Sequence, residues 1–366
     1  MRITLTIIFL IFTSSLFSQV SGDVNVFNGK DTASSENIYY TSHTDKFLLK
    51  FMNAIKYTKV DIMNTNDRKQ LKLAPAGTLD LGLAFNYKWL GLGFTVGLPS
   101  GEHSDSTKGK TSRFDMQLSI YSKWFVVDAF YQKYKGFYLS NPGDFKIEED
   151  STNIGVNDFA NSEILPQLPN MKNFSLGVSA YYILNHKKLS YRAAYVRNET
   201  QNKSAGSLLF GPFLNIDGAS TENGFVPDSL PLAVRDSFDI GFFRSTSYGL
   251  AVGYTYSVVI AKKVFMNFSM IPGVGIKDLR TSLNGIERAS KQGAAARFAY
   301  RFAAGYEHKS FLIGLTIQGS VGSIKIDNFK FSPGAGMINL YVGKRFDLKK
   351  IKKNREDKKS QNSKVE

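Results

Sequence analysis

From Tyr248 to Ile260 the even positions are Tyr, Leu, Val, Tyr, Tyr, Val and Ile, with Gly, Ala, Gly, Thr, Ser and Val between them. A period of two held over that length describes a strand with one apolar face. From Phe298 to Tyr306 the aromatic-rich face, Phe298, Tyr300, Phe302, Ala304 and Tyr306, opposes Ala299, Arg301, Ala303 and Gly305. The stretch "AFNYKWLGLGFTVGLP" at 84–99 is apolar enough for a membrane helix, but Gly91, Gly93 and Gly97 would weaken a helix interior. Alternation resolves it: Leu90, Leu92, Phe94, Val96 and Leu98 share one face and Gly91, Gly93, Thr95 and Gly97 the other. Upstream, Leu79, Leu81, Leu83, Phe85 and Tyr87 oppose Asp80, Gly82, Ala84, Asn86 and Lys88. Further strands fit at 111–122, 124–135, 171–184, 188–201, 262–275, 309–323 and 335–346, with a weaker one at 55–64. The total is about twelve, each near or above the ~9–11 residues that cross a membrane as a tilted strand.

The connections have a rhythm of their own. Short joints fall at 87–89, 122–124, 185–188, 261–263 and 307–310, and long polar segments at 65–77, 99–110, 136–170, 202–244, 276–292 and 324–334. Antiparallel strands place successive joints at opposite ends, so this alternation predicts short turns on one side and long loops on the other. The fold class expected is all-β: a transmembrane antiparallel up-and-down barrel with short periplasmic turns, long extracellular loops and both termini periplasmic. A soluble two-sheet sandwich also alternates, but it would carry a charged outer face. Here the face opposite the aromatics is mostly Gly, Ala, Ser and Thr. Within the long loops, "AGSLLFGPFLNID" (205–217) and "ENGFVPDSLPLAV" (222–234) are too apolar to stand free and are expected to fold into the barrel mouth as a plug.

The N-terminus sets the compartment. Arg2 precedes an apolar run from Ile3 to Phe12, followed by small and polar residues, the layout of a signal peptide cleaved after Ser18. An uncleaved anchor is the rival, and the run is short of the ~20 residues that a spanning helix needs. The expected organisation is a signal peptide (1–18), an N-terminal periplasmic segment (19–46), the barrel (47–346) and a basic, disordered periplasmic tail (347–366). The location expected is the outer membrane of a Gram-negative bacterium.

Composition adds three constraints. The chain has 29 Phe, 18 Tyr and 31 Gly in 366 residues, a mixture suited to strands and bends. It has no cysteine, which removes disulfides, thiolate metal sites and cysteine nucleophiles. Its formal charge is +15, and residues 349–366 alone carry eight basic and three acidic side chains. For an exported protein the anionic partners are outer-membrane lipid and lipopolysaccharide, with other envelope proteins as candidates, and no nucleic acid.

Residues 78–140 carry a resemblance. "YKWLGLGFTVGLP", a Gly-Lys-Thr at 109–111 opening a strand and "YQKYKGFYL" at 131–139 resemble the signature of a Bacteroidetes-type outer-membrane protein family described as domain of unknown function 4421. The resemblance is taken to span Phe47 to Phe346. It implies a membrane barrel and supplies no catalytic residue.

Candidate chemistry is sparse. Barrel-type lipid hydrolases and acyltransferases need a serine or carboxylate beside a histidine. Of the four histidines, His186 and His308 sit in expected turns, His103 in a loop and His43 before the first strand, and none has such a partner at informative spacing. No calcium-loop spacing occurs, and "GLPSGEHSDSTKGKT" has Ser104 where a phosphate-cradling loop needs glycine. We therefore expect no catalytic site, no metal and no cofactor.

Position, rather than motif, marks the remaining candidates. Asp80, Lys88, Asp115, Lys123, Asp128, Arg297 and Arg301 fall on the inward face, where they would line a narrow pore or pair as a polar core. Trp89, Trp124 and Tyr134 are expected at the membrane interface. Lys187, Lys188, Lys262, Lys263 and Lys309 are expected to form a basic periplasmic rim. Two functions are compatible: a narrow or occluded transport channel, or an accessory subunit of an envelope assembly or secretion complex.

Overall fold

The computed structural model describes residues 38–348, apart from 78, 88–89, 99–101, 146–163, 239, 261–262, 284–285, 288–289 and 327. The strands, in chain order, are β1 (Tyr40–Ser42), β2 (Phe47–Asn64), β3 (Gln70–Ala74), β4 (Leu79–Tyr87), β5 (Leu90–Gly97), β6 (Ser112–Tyr121), β7 (Phe125–Leu139) and β8 (Gln167–Ile183). They continue with β9 (Glu199–Gln201), β10 (Ala205–Ser220), β11 (Ile240–Ile260), β12 (Val264–Leu283), β13 (Ile286–Glu287), β14 (Lys291–His308), β15 (Phe311–Ile326) and β16 (Phe329–Phe346). Three short helices interrupt them: α1 (Glu102–Lys108), α2 (Tyr191–Tyr195) and α3 (Leu232–Ser237).

Every pairing is antiparallel, and the sheet closes on itself. Ten strands form the hydrogen-bonded ring, in the order β2-β16-β15-β14-β12-β11-β10-β8-β7-β3 and back to β2. The chain ends of the wall meet, since Phe47 opposes Phe346. Little β3 closes the ring near one end, pairing Val60–Met63 of β2 on one side and Tyr138 and Leu139 of β7 on the other. Toward the other end β4 pairs β2, β5 pairs β4, and β6 pairs β7. Closure gives each of these ten strands a partner on both sides, while β5 and β6 each keep one edge unpaired among the described residues.

Alternation sorts the side chains. On β11, Tyr248, Leu250, Val252 and Tyr254 are exposed while Ala251, Thr255 and Ser257 between and beyond them are buried. The same holds on β14, where Phe298 is exposed and Ala299 and Arg301 are buried. The exterior is thus an apolar surface and the interior a mixed one, the inverse of a soluble protein.

Several expectations change. Residues 188–201 are not a wall strand: Ser190 caps α2 by accepting from the Ala193 amide, and β9 pairs only β1. The connection after β8 is therefore a folded insertion, 184–204, rather than the short joint 185–188. Residues 205–217 are not a plug but β10, laddered to both β8 and β11. Pro212 has no N–H, and the β8 ladder skips Gly211 and Pro212 before resuming at Phe213. The loop expected at 202–244 shrinks to 221–239, and the segments 276–292 and 324–334 are mostly strand. The weak strand at 55–64 is the end of an 18-residue one. The expected signal peptide (1–18) lies outside the described residues, as does the tail beyond Leu348.

One glycine sets the shape of the mouth. Gly136 has φ +90, and a Cβ there would strike the Lys110 carbonyl oxygen. Register breaks between Lys135 and Phe137, so the inward phase passes from Tyr134 to Phe137 and Leu139. Those two join a large apolar cluster with Leu71 and Leu73 of β3, Phe225, Val226, Leu230 and Val234 of the 221–239 loop, and Phe243 and Phe331 of the wall. This cork fills the mouth opposite the chain termini. The stretch at 222–234 thus sits where its apolar residues suggested.

Candidate functional site

The other end of the lumen is closed differently. Insertion 184–204 folds back inside the wall, and its closure is polar. Arg197 is 2 % exposed; its Nη2 donates to Glu307 Oε2 at 2.6 Å and its Nη1 to the Ala193 carbonyl at 2.5 Å. Its guanidinium lies 4.0 Å from the Phe265 ring centroid, a cation–π contact. Arg345 pairs with Glu307 from β16 and donates through Nη2 to the Arg197 carbonyl at 2.7 Å. Lys50 of β2 donates to the Val196 carbonyl at 3.3 Å. One carboxylate from the wall therefore holds two arginines, one from the plug and one from the opposite chain end.

The plug presents aromatic rings to the lumen. Tyr191 and Tyr195 stack at 4.9 Å, one turn of α2 apart, and both stack on Tyr121 of β6. Tyr195 donates its hydroxyl to Asn267 Oδ1 at 2.8 Å, and Tyr191 shares a 2.9 Å hydrogen bond with Ser269. The N-terminal segment buttresses the plug from outside: β1 pairs β9, and His43 Nε2 lies 3.0 Å from Thr200 Oγ1. Burial, and then the charge of Arg345, lower the His43 pKa to about 4.

Between plug and cork lies a polar chamber with a cavity of about 80 Å³, room for several waters or a compact polar group. Its floor is Arg301, which pairs with Asp128 and lies 5.6 Å from the Tyr191 ring. Arg297 stands toward the cork, donating to the Tyr181 hydroxyl at 2.8 Å over the Phe213 ring. Gln318 and Gln117 meet across the lumen at 3.4 Å. Buried Gln132 directs an unpartnered Oε1 there, and the buried Arg297 Nε has no partner either. A second charge cluster sits beside it: Arg113 pairs with Asp80, Lys56 lies 3.5 Å from Asp80 and 3.8 Å from Asp115, and Asp115 accepts from Gln132 at 2.6 Å and Tyr134 at 3.1 Å.

Of the residues singled out for the lumen, Asp80, Asp115, Asp128, Arg297 and Arg301 are in these clusters. Lys123 is not: β6 ends at Tyr121 and β7 starts at Phe125, leaving Lys123 exposed in the turn. Tyr134 is not at the membrane interface but 2 % exposed inside, because it shares the inward phase of Asp128 and Gln132 on β7. Trp124 is 40 % exposed at the plug end, its ring 5.9 Å from that of His186. Lys187, Lys188, Lys263 and Lys309 are exposed at the same end, Lys309 with φ 56 in the turn before β15. The side chains of Lys88, Trp89 and Lys262 lie outside the described residues.

Lys56, Arg113, Arg197, Glu307 and Arg345 were missed. Arg113 was legible, because it shares a face with Asp115 on a recognised strand. Glu307 was assigned to a turn and Arg197 to a wall strand, so neither could be placed. Among the described residues, no group of three or more His, Cys, Asp or Glu could hold a metal ion.

The family model described as "Domain of unknown function (DUF4421)" matches residues 30–346. No curated protein matches the chain by sequence. Solved structures similar to it include the outer membrane protease OmpT from Escherichia coli, at 8 % identity and TM-score 0.35, covering 84 % of this chain and 98 % of that one. The translocator domain of the autotransporter NalP from Neisseria meningitidis is similar at 9 % identity and TM-score 0.29, covering 81 % and 88 %. The toluene transporter TodX from P. putida follows at 9 % identity and TM-score 0.25, covering 82 % and 90 %.

Proposed function

The chain belongs to the family described as domain of unknown function (DUF4421), and from that premise and the geometry above we propose that it is a non-enzymatic outer-membrane barrel working as an occluded transport channel. The observation that carries this reading is the plug held inside the lumen by Arg197, Glu307 and Arg345. With the apolar cork at the far end, the axial path is closed twice over.

The membrane placement rests on the exterior. Side chains such as Phe51, Phe94, Met116, Leu250, Met270 and Val274 are 49–72 % exposed around the barrel, a surface that only lipid would cover favourably. Backbone groups facing hydrocarbon must be paired within the chain, which the ten-strand ring achieves along its ladders. On this reading twelve long strands, β3 excluded, make the wall, the cork faces outward, and the exposed lysines at the plug end meet periplasmic anions or lipid headgroups. The signal peptide expected at 1–18 would export it.

A non-enzymatic role is supported by the arrangement among the described residues that resembles a catalytic triad. His43 contacts Thr200, but Glu307 accepts from the Thr200 hydroxyl at 3.1 Å rather than from the imidazole. In acyl-transfer triads the carboxylate orients the histidine, so the order here is wrong for activating a nucleophile.

Planar-bilayer recording of the purified full chain tests the reading. We expect no sustained conductance at rest; a steady, porin-like current would overturn it. The alternative, an accessory subunit, draws support from the exposed periplasmic lysines, and predicts a stoichiometric partner on affinity purification from native membranes.

A further inference from the structure

Resting on the reading of an axially occluded barrel, we propose that the chamber is entered sideways from the membrane, between β5 and β6, by a single-chain amphiphile with a carboxylate head. Among the described residues β5 pairs only β4, and β6 pairs only β7. Elsewhere the wall is laddered, by eighteen pairs between β16 and β2 alone. The facing edges of β5 and β6 form a seam beneath β3, which bridges β2 to β7 above it like a lintel.

Side chains span this seam where backbone does not. Arg113 of β6 reaches over Gly97 of β5 to pair with Asp80 of β4, so closely that a Cβ on Gly97 would collide with its guanidinium. Lys56 of β2, which donates to Thr95 of β5 at 3.1 Å, lies 3.8 Å from Asp115 of β6 and so reaches across as well. A side-chain clasp can open and close without unzipping a ladder. Unpaired strand edges facing hydrocarbon cost several kcal/mol per group, so the seam is tenable where the polar lumen stands behind it.

Both flanks suit an apolar chain. Phe94 and Val96 on β5 and Phe114 and Met116 on β6 are 57–74 % exposed. Directly inside, Gln117 and Ser119 of β6 form part of the chamber wall. The cork and the plug deny an axial entry, which leaves the seam as the route to the cavity. The chamber selects the head. Arg301 is already paired with Asp128, whereas Arg297 has no salt bridge among the described residues: it hydrogen-bonds the Tyr181 hydroxyl, meets the buried Asp217 only at longer range and keeps its Nε unpartnered. A guanidinium in that state matches a carboxylate, and the cavity of about 80 Å³ beside it has room for a head of that size.

Two measurements test this on the full chain in phosphatidylcholine nanodiscs. The first is amide hydrogen exchange. The seam-facing amides of Phe94–Gly97 and Phe114–Leu118 are expected to exchange at least ~100-fold faster than those of β11 and β12; equal protection would show a laddered wall and sink the proposal. The second is photolabelling with a diazirine fatty acid and with the matching fatty alcohol. The acid is expected to label Gln117, Ser119 or Gln318, and R297Q to cut that labelling about tenfold, as expected for one charge-assisted hydrogen bond. Labelling confined to outward side chains, or equal for acid and alcohol, overturns it. Conductance reports separately on axial occlusion, so a current without a change in labelling would fault the occlusion reading alone.

Discussion

The two closures of the lumen obey opposite physics. The cork is a cluster of apolar side chains drawn from the wall, β3 and the 221–239 loop, with Phe225, Phe243, Leu71 and Leu73 at 0–1 % exposure. The plug is one short insertion anchored by a carboxylate between two buried arginines and by hydrogen bonds from Tyr191 and Tyr195. Apolar burial is additive and insensitive to salt and pH. A buried ion cluster is worth little relative to apolar packing, but removing one member leaves charge unpaired and is costly. The comparison teaches that the cork is the permanent closure and the plug the conditional one.

Removing the shared carboxylate should produce the largest effect. E307A leaves Arg197 and Arg345 facing one another, and we expect a loss of about 3–5 kcal/mol in plug attachment, read as loss of hydrogen-exchange protection in 184–204 while β10–β12 stay protected. Protection unchanged in the plug would mean its packing, not its charges, holds it. F331A creates a cavity in the cork and is expected to cost about 3–5 kcal/mol of global stability in denaturant titration, independent of salt. If the plug loosened instead, the two closures would be coupled.

The smallest expected effect is electrostatic. His43 has its pKa lowered from 6.5 to about 4. A group whose folded pKa lies below its unfolded value contributes stability that is complete above pH 6.5 and lost as pH falls toward 4. Exchange protection of β1 and β9 should therefore decline over that window, and H43Q should flatten the decline. The cork should show no change there.

How much of this was legible in the sequence depends on which periodicity was at stake. The strands β11 and β14 could be placed because lipid-facing aromatics alternate with small or polar residues over many turns of the pleat. The five-residue α2 could not, since Leu189, Tyr191, Ala193 and Tyr195 alternate as a strand would and the segment is too short for a helical period to assert itself. β10 was lost because 202–244 was read as one long connection, and the apolar side chains of 205–217 were assigned to a plug rather than to a wall strand. Tyr134 was recoverable: strict alternation from Asp128 already places it inside. The Arg197–Glu307–Arg345 cluster joins residues far apart in the chain: β15 ladders β14 to β16, which brings Arg345 to Glu307, and the insertion must fold back inside the wall to bring Arg197 there.

The central claim, that charge holds the plug across the lumen, can be tested by one accessibility measurement, which the absence of native cysteine makes clean. Ala303 lies on the inner wall at 0 % exposure against Ala194 of the plug. In A303C, a membrane-impermeant maleimide added to the plug side should react slowly, and combining A303C with E307A should speed the reaction at least ~100-fold, as a ~3 kcal/mol release requires. Equal rates in the two backgrounds would contradict the account.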